Sequence, residues 1–133
     1  MRRPLLALLP LVAVVAGCGT TSSAGNFAGA GGDVAKQVEA LQTAGQSHDG
    51  DKACTDILSG TLRNAMNATG STCAEQVSDA MKDADDFELD VRAVSVTGNQ
   101  ATARVRARIA GRDQIRTMQF VRESGGWRIS SLG

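Results

Sequence analysis

Between Phe87 and Ile109 the apolar residues fit only one strand pairing, and that pairing dictates the second half of the chain. Phe87, Leu89 and Val91 alternate with polar residues, and so do Val94 and Val96, but the second set is out of phase with the first by one residue. Gly98-Asn99 reads as a two-residue hairpin turn. Beyond it Ala101, Ala103, Val105, Ala107 and Ile109 alternate with Thr102, Arg104, Arg106 and Arg108. Folding back about the turn sets Val96 against Ala101 and Val94 against Ala103. Successive strand side chains point to opposite faces, so an uncorrected register would turn the earlier apolar residues toward water. One extra residue, a β-bulge near Arg92-Ala93, restores the phase. Val91 then meets Val105, Leu89 meets Ala107 and Phe87 meets Ile109. The expectation is a bulged hairpin with one apolar face, bent at the bulge so that this face is concave.

The rest of the sheet follows from the same alternation. Ala110-Gly111 turns the chain into a third strand, in which Met118 and Phe120 pair inward with Ala103 and Ala101. Ile115 does not share their phase, and a register error of one residue there would bring Arg116 toward the concave face. Ser124-Gly125-Gly126 is the last turn, and Trp127 and Ile129 face inward from a fourth strand. Upstream of Phe87 the apolar period is 3.6. A helix starting near Asp33, a good N-cap, places Val34, Val38, Leu41 and Ala44 on one stripe. Asp49-Gly50-Asp51 makes a turn, with Gly50 suited to a left-handed backbone and either aspartate able to cap a second helix. That helix buries Ala53, Cys54, Ile57 and Leu58. Gly60 interrupts it, and Leu62 and Met66 carry the pattern through a short further turn. Thr72-Cys73-Ala74-Glu75 is a capping box that opens a third helix lined by Ala74, Val77 and Met81 and ended by Asp85-Asp86. Helices first and an antiparallel meander second make an α+β domain, with N-terminal helices packed on a curved four-stranded sheet.

The N-terminus has a different character. Met1-Arg2-Arg3 is basic, Leu5 to Val15 is apolar apart from Pro10, and Val15-Ala16-Gly17-Cys18 follows. The apolar run is too short to span a bilayer core of about 30 Å and suits a signal-peptide h-region. The four residues ending at Cys18 resemble the lipobox of bacterial lipoproteins. The resemblance implies a signal peptide over 1–17 and a diacylglyceryl group on Cys18, with Val15, Ala16 and Gly17 as recognition positions. It also implies anchorage on the extracytoplasmic face of the cell membrane. The competing reading is a plain secretory signal with an incidental cysteine. Residues 18–32 then form a lipidated cysteine and flexible Gly/Ser/Thr/Ala tether, with Phe27 its only large apolar residue, and the domain occupies 33–133. Arginine outnumbers lysine 11 to 3, a bias that fits a high-GC, actinobacterial genome.

Several stretches of 33–133 resemble small exported proteins of the NTF2-like, or cystatin-like, group. They are Asp49-Gly50-Asp51 followed by Ala53-Cys54 and Ile57-Leu58, Cys73 at a helix start, Val94-Ser95-Val96 before Gly98-Asn99-Gln100-Ala101, and Phe120-Val121-Arg122-Glu123 before Gly125-Gly126-Trp127-Arg128-Ile129. The resemblance implies a cone in which helices cover a bent sheet. It does not choose a function, since that group holds enzymes, adaptors and noncatalytic domains. With Cys18 assigned to lipid by the lipobox resemblance, Cys54 and Cys73 remain as a pair in an oxidising compartment, where a disulfide is favoured. Free or metal-bound thiols are the alternative, and zinc would need two further ligands from a chain with one histidine, His48.

Charge is neutral in sum and uneven along the chain. Asp33 to Asp90 carries 12 acids and 4 bases, and Val91 to Gly133 carries 8 bases and 2 acids. The simplest consequence is that the helical and strand halves attract each other. Nucleic acid is not an expected partner, since an exported chain lacks that context. The possible ligand cone is lined by Phe87, Leu89, Val105, Met118, Phe120 and Trp127, with Trp127 near its mouth. None of these titrates, and the chain has no tyrosine. His48, beside Asp49, reads as part of a solvated turn, and Asp56 and Arg63 as outer helix positions. General acid–base catalysis therefore lacks its groups, and neither an enzyme, a cofactor nor a metal is expected. Arg104, Arg106 and Arg108 form a possible basic face for anionic lipid, wall polymer or an acidic partner, or else a solvated face balanced by the acidic half. The expected function is a membrane-anchored, noncatalytic binding or interaction module, with an envelope protein as partner. The alternative is a carrier of a small apolar ligand. Oligomeric state is left open.

Overall fold

The backbone makes the pairing that the apolar pattern requires. In the computed structural model, which describes residues 27–82, 87–109 and 111–133, strand β1 (Glu88–Thr97) bulges between Val91 and Ala93. It pairs Val96 with Ala101, Val94 with Ala103, Val91 with Val105 and Leu89 with Ala107 of β2 (Gln100–Ile109). Strand β3 (Arg112–Glu123) adds Met118 opposite Ala103 and Phe120 opposite Ala101, and β4 (Gly126–Ser131) completes a meander in the order β1-β2-β3-β4. Phe87 lies just before β1 and does not pair with Ile109; its ring packs on α1 (Gly29–Gln46) at Gly45, where an added Cβ would fall 2.4 Å from it. Val96, expected to face the core, is 37% exposed because β1 runs past the helices that cover its neighbours. The signal peptide, Cys18, the start of the tether, Asp85-Asp86 and Ala110 lie outside the described residues.

Helix α1 begins at Gly29, four residues before Asp33, and its N-cap Ala28 makes no side-chain hydrogen bond. Asp33 is therefore an interior residue and not the cap, and the tether is shorter than expected. Tertiary packing outweighs the poor helix propensity of Gly29, Gly31 and Gly32. Gly32 is buried, a Cβ added at Gly31 would lie 3.9 Å from Val94, and Phe27 docks half-buried against the core. Val34, Val38, Leu41 and Ala44 face the sheet as the stripe predicts.

After α1 the left-handed residue is His48, at φ 55°, and not Gly50. Gly50 opens the short helix α2 (Gly50–Lys52), capped by Asp49 through the Lys52 N–H at 3.0 Å. It is glycine for another reason. A Cβ there would fall 2.4 Å from Ser78 Oγ and 2.7 Å from the Ala74 carbonyl oxygen, both on helix α4 (Cys73–Met81). Gly50→Ala is expected to push α2 and α4 apart and cost about 1–3 kcal/mol, the usual range for overpacking. A thermal midpoint equal to wild type would contradict the close approach.

Helix α2 runs on into a π-helical turn, Ala53–Ile57, closed by Leu58 N–H to the Ala53 carbonyl at 2.9 Å. The extra residue in this turn lets Ala53, Cys54, Ile57 and Leu58 all reach the core. Leu58 then bridges Ile129 of β4, and Ser59 donates its N–H to the Ile129 carbonyl at 2.8 Å. Ser59 is fully buried and caps α3 (Gly60–Asn67) by accepting from the Leu62 N–H, while Glu123 accepts from the Gly60 N–H. The helical half is thus joined through backbone to the edge of the sheet. The Thr72–Glu75 capping box forms in both directions at the start of α4. Cys54 and Cys73 form a disulfide with Cα atoms 6.1 Å apart, linking the π-helical turn to the first residue of α4. No helix among the described residues is long and apolar enough to cross a membrane.

Candidate functional site

Helix α4 packs mainly on α2, α3 and the π-helical turn. Between its Val77, Ala80 and Met81 and the strands lies a cavity of about 260 Å³. Leu89, Ala107, Ile109 and Met118 supply the sheet side of the cavity, and Leu41, Leu58, Met66 and Phe87 close it from the flanks. Ala107 is the smallest side chain on the sheet side of the cavity. Two polar side chains line the cavity, Gln76 and Arg116. The Gln76 amide is committed to local structure, donating to Met66 and Ser71 carbonyls and to Thr69 Oγ1. Arg116 is exposed at the rim and donates to Gln114 Oε1 at 2.8 Å.

Of the six residues expected to line a cone, Phe87, Leu89 and Met118 do so. Val105 is fully buried beneath other side chains, and Phe120 packs in the core between Ala101 and Ile129. Trp127 does not sit at the mouth. It is 3% exposed at another part of the domain, under the Arg122 guanidinium at 4.8 Å from the ring centre, and its carbonyl accepts from the Gln37 side chain. Its position at the start of β4, opposite Arg122, puts it away from the cavity. Its indole Nε1 is buried with no hydrogen-bond partner among the described residues.

Arg116 reaches the cavity with the strand register intact. It pairs with Val105, an inward position, while Ile115 pairs with Arg106 and is 55% exposed on the outer face. The signal was present in the sequence: Arg116 stands two residues before Met118 and shares its face. It is Ile115 that breaks the apolar pattern.

Arg104, Arg106 and Arg108 all point outward and are exposed, but they do not form an uninterrupted basic face. Glu88 and Asp113 flank Arg108, and Asp90 is opposite Arg106. Ion pairs join Arg108 to Asp113 at 3.6 Å and Arg92 to Asp90 at 3.2 Å. The outer sheet around them is a mixed-charge surface, whose exposed pairs contribute little stability. His48 and Asp56 are exposed, and Arg63 donates to the Cys54 carbonyl at 3.3 Å. Among the described residues no group of three His, Cys, Asp or Glu side chains is placed to hold a metal ion.

Chemically, the cavity is an apolar compartment with one cation at its edge. It can take an alkyl or aryl group and orient a negative charge.

Comparison with known proteins agrees with this architecture. The family model described as "Low molecular weight antigen MTB12, C-terminal domain" matches residues 58–132, from the end of the π-helical turn through β4. A solved structure of a designed NTF2-like protein, a variant of Rd1NTF2_05, is similar with a TM-score of 0.50 and 18% identity, covering 73% of this chain and 91% of that one. At that identity the likeness concerns the fold alone, and the fold is NTF2-like. No curated protein matches the chain in sequence.

Proposed function

The chain belongs to the family of the low molecular weight antigen MTB12 C-terminal domain, and from that premise we propose that it is an extracytoplasmic lipoprotein whose domain is a noncatalytic binding or interaction module. One observation carries the reading of the domain. The cavity between α4 and the sheet is lined by apolar side chains, with Gln76 and Arg116 as its polar groups. A carboxamide and a guanidinium donate hydrogen bonds and orient a guest, but neither serves as a proton-transfer group. Such a site favours retention of a ligand over its chemical conversion. The same cavity supports the second reading, a carrier for a small apolar ligand, because its volume is close to the lower bound of about 300 Å³ for small-molecule pockets.

The membrane reading rests on Val15-Ala16-Gly17-Cys18 and the apolar run before it. Two acyl chains on one cysteine exceed the marginal membrane affinity of a single chain. Expressed in a bacterium that processes lipoproteins, the wild-type chain is expected in the membrane fraction, with a mature mass beginning at a diacylated Cys18. Cys18→Ala should abolish that modification and shift the protein away from the washed membrane fraction. Equal retention of both forms, with no lipid mass on Cys18, would overturn the anchor.

A further inference from the structure

We propose that the cavity beneath α4 holds the alkyl chain of an anionic single-chain amphiphile, with its head on Arg116. This deepens the binding-module reading and rests on it.

The size of the cavity selects the tail. At about 30 Å³ for each small group, the share of liquid volume that one water takes, a cavity of about 260 Å³ holds a chain of roughly eight to ten carbons. Leu89, Ala107, Ile109 and Met118 give it an apolar bed, and Val77 and Met81 of α4 cover it. Helix α4 rests on the other helices and on the disulfide, so it can move outward without separating the strands.

The charge at the rim selects the head. Arg92 and Arg108 on the outer face each have a carboxylate partner. Arg116, on the inner row, has no such partner among the described residues, and Gln114 holds it by one hydrogen bond of 2.8 Å. A guanidinium so placed presents its remaining donors to a carboxylate or phosphate. The sheet, from Glu88 to Gly133, carries 8 bases and 4 acids, and this excess adds a field that favours an anion. A neutral hydrocarbon would use the bed and leave the cation without a role. The shared chemistry, one alkyl chain and one anionic head, is found both in a free fatty acid and in an anionic lysophospholipid.

Decanoate is the probe, titrated below its micellar range into the full chain carrying Cys18→Ala, so that no detergent competes for the cavity. Methyl NMR of the wild-type domain sequence should show saturable one-to-one shifts at Leu89, Ala107 and Met118 and not at Val34 or Val38. Octanoate, shorter by two methylenes, should bind about fifteenfold more weakly, since each buried methylene contributes about fourfold, and dodecanoate should gain little once the cavity is full. Arg116→Gln, at an exposed position, should weaken decanoate about fivefold and leave decanol unchanged. Ala107→Leu should weaken both. A decanoyl lysophosphatidylglycerol arm identifies the source: tighter binding than decanoate assigns a phospholipid head, weaker binding a free acid. Absence of shifts at the three methyl sites, or an equal loss of decanol and decanoate in Arg116→Gln, would overturn the inference. Neither result bears on the membrane anchor, which the fractionation of Cys18→Ala decides independently.

Discussion

Deleting Asp90 is expected to destabilise the domain by roughly 2–3 kcal/mol, whereas deleting Arg92 should keep the register of β1. In the native sheet Val91 stands opposite Val105 and Ala93 opposite Arg104, with Arg92 the extra residue between them. Without Arg92, Val91 and Ala93 become neighbours that pair continuously with the same partners, so every inward pair survives and only the bulge and its bend are lost. Without Asp90, Leu89 and Val91 become neighbours on a strand whose side chains alternate, and only one of them can face inward. Both are 5% exposed in the native fold, and each fully buried side chain of this kind contributes about 1.5–3 kcal/mol. If Val91 keeps Val105, Leu89 moves opposite Arg106 and its N–H loses the bond to Gln42 Oε1 at 2.6 Å. If Leu89 keeps Ala107, Val91 moves to the outer face. Asp90→Ala breaks only an exposed ion pair with Arg92 at 3.2 Å and should cost less than about 1 kcal/mol. Urea unfolding of the three variants distinguishes these cases, and an Asp90 deletion with the wild-type midpoint would mean that the alternation of Leu89 and Val91 does not set the register.

The pattern around Arg92 shows why the sheet was legible in the sequence. Period-2 alternation leaves a binary choice at each residue, and a phase slip of one has few remedies. The pairs Val96–Ala101, Val94–Ala103, Val91–Val105 and Leu89–Ala107 all occur as derived. The capping box at Thr72 was legible for a similar reason, being two reciprocal hydrogen bonds at fixed spacing. Features decided by contact between distant elements were not legible. Gly50 reads as a turn residue and is glycine because Ala74 and Ser78 of α4 press against it. Asp33 reads as a cap, and the helix starts earlier because the turn containing Gly31 and Gly32 fits against β1. The same limit applies to the site. Inward orientation was readable for Leu89, Met118, Val105, Phe120 and Trp127 alike, yet only the first two border the cavity. Facing the core does not say where the core is incompletely filled. That depends on how α4 sits over Ala107, which no periodicity encodes.

Breaking the Cys54–Cys73 link should lower stability by about 3 kcal/mol in the chain-entropy account, and for a domain of this size that is roughly 10–20 °C in Tm. The two cysteines are 19 residues apart in sequence and are 5% and 3% exposed. The comparison should use the Cys54→Ala/Cys73→Ala pair, since a single change leaves a buried thiol without its partner. The loss is not expected to be uniform. Helix α4 has its own local supports, because the capping box remains and Asn67 Oδ1 still accepts from the Cys73 N–H at 2.7 Å. It can therefore stay helical while its docking weakens. Its main tertiary contacts are to α2, α3 and the π-helical turn, and the disulfide is the covalent part of that attachment. The sheet does not depend on it, being held by its own ladders and by Leu58–Ile129. Hydrogen exchange should accordingly rise first at Val77, Ala80 and Met81, while Val105 and Phe120 stay protected. Uniform acceleration across both layers would mean that α4 and the sheet unfold as one unit, and an unchanged Tm after full reduction would remove the stabilising role of the link.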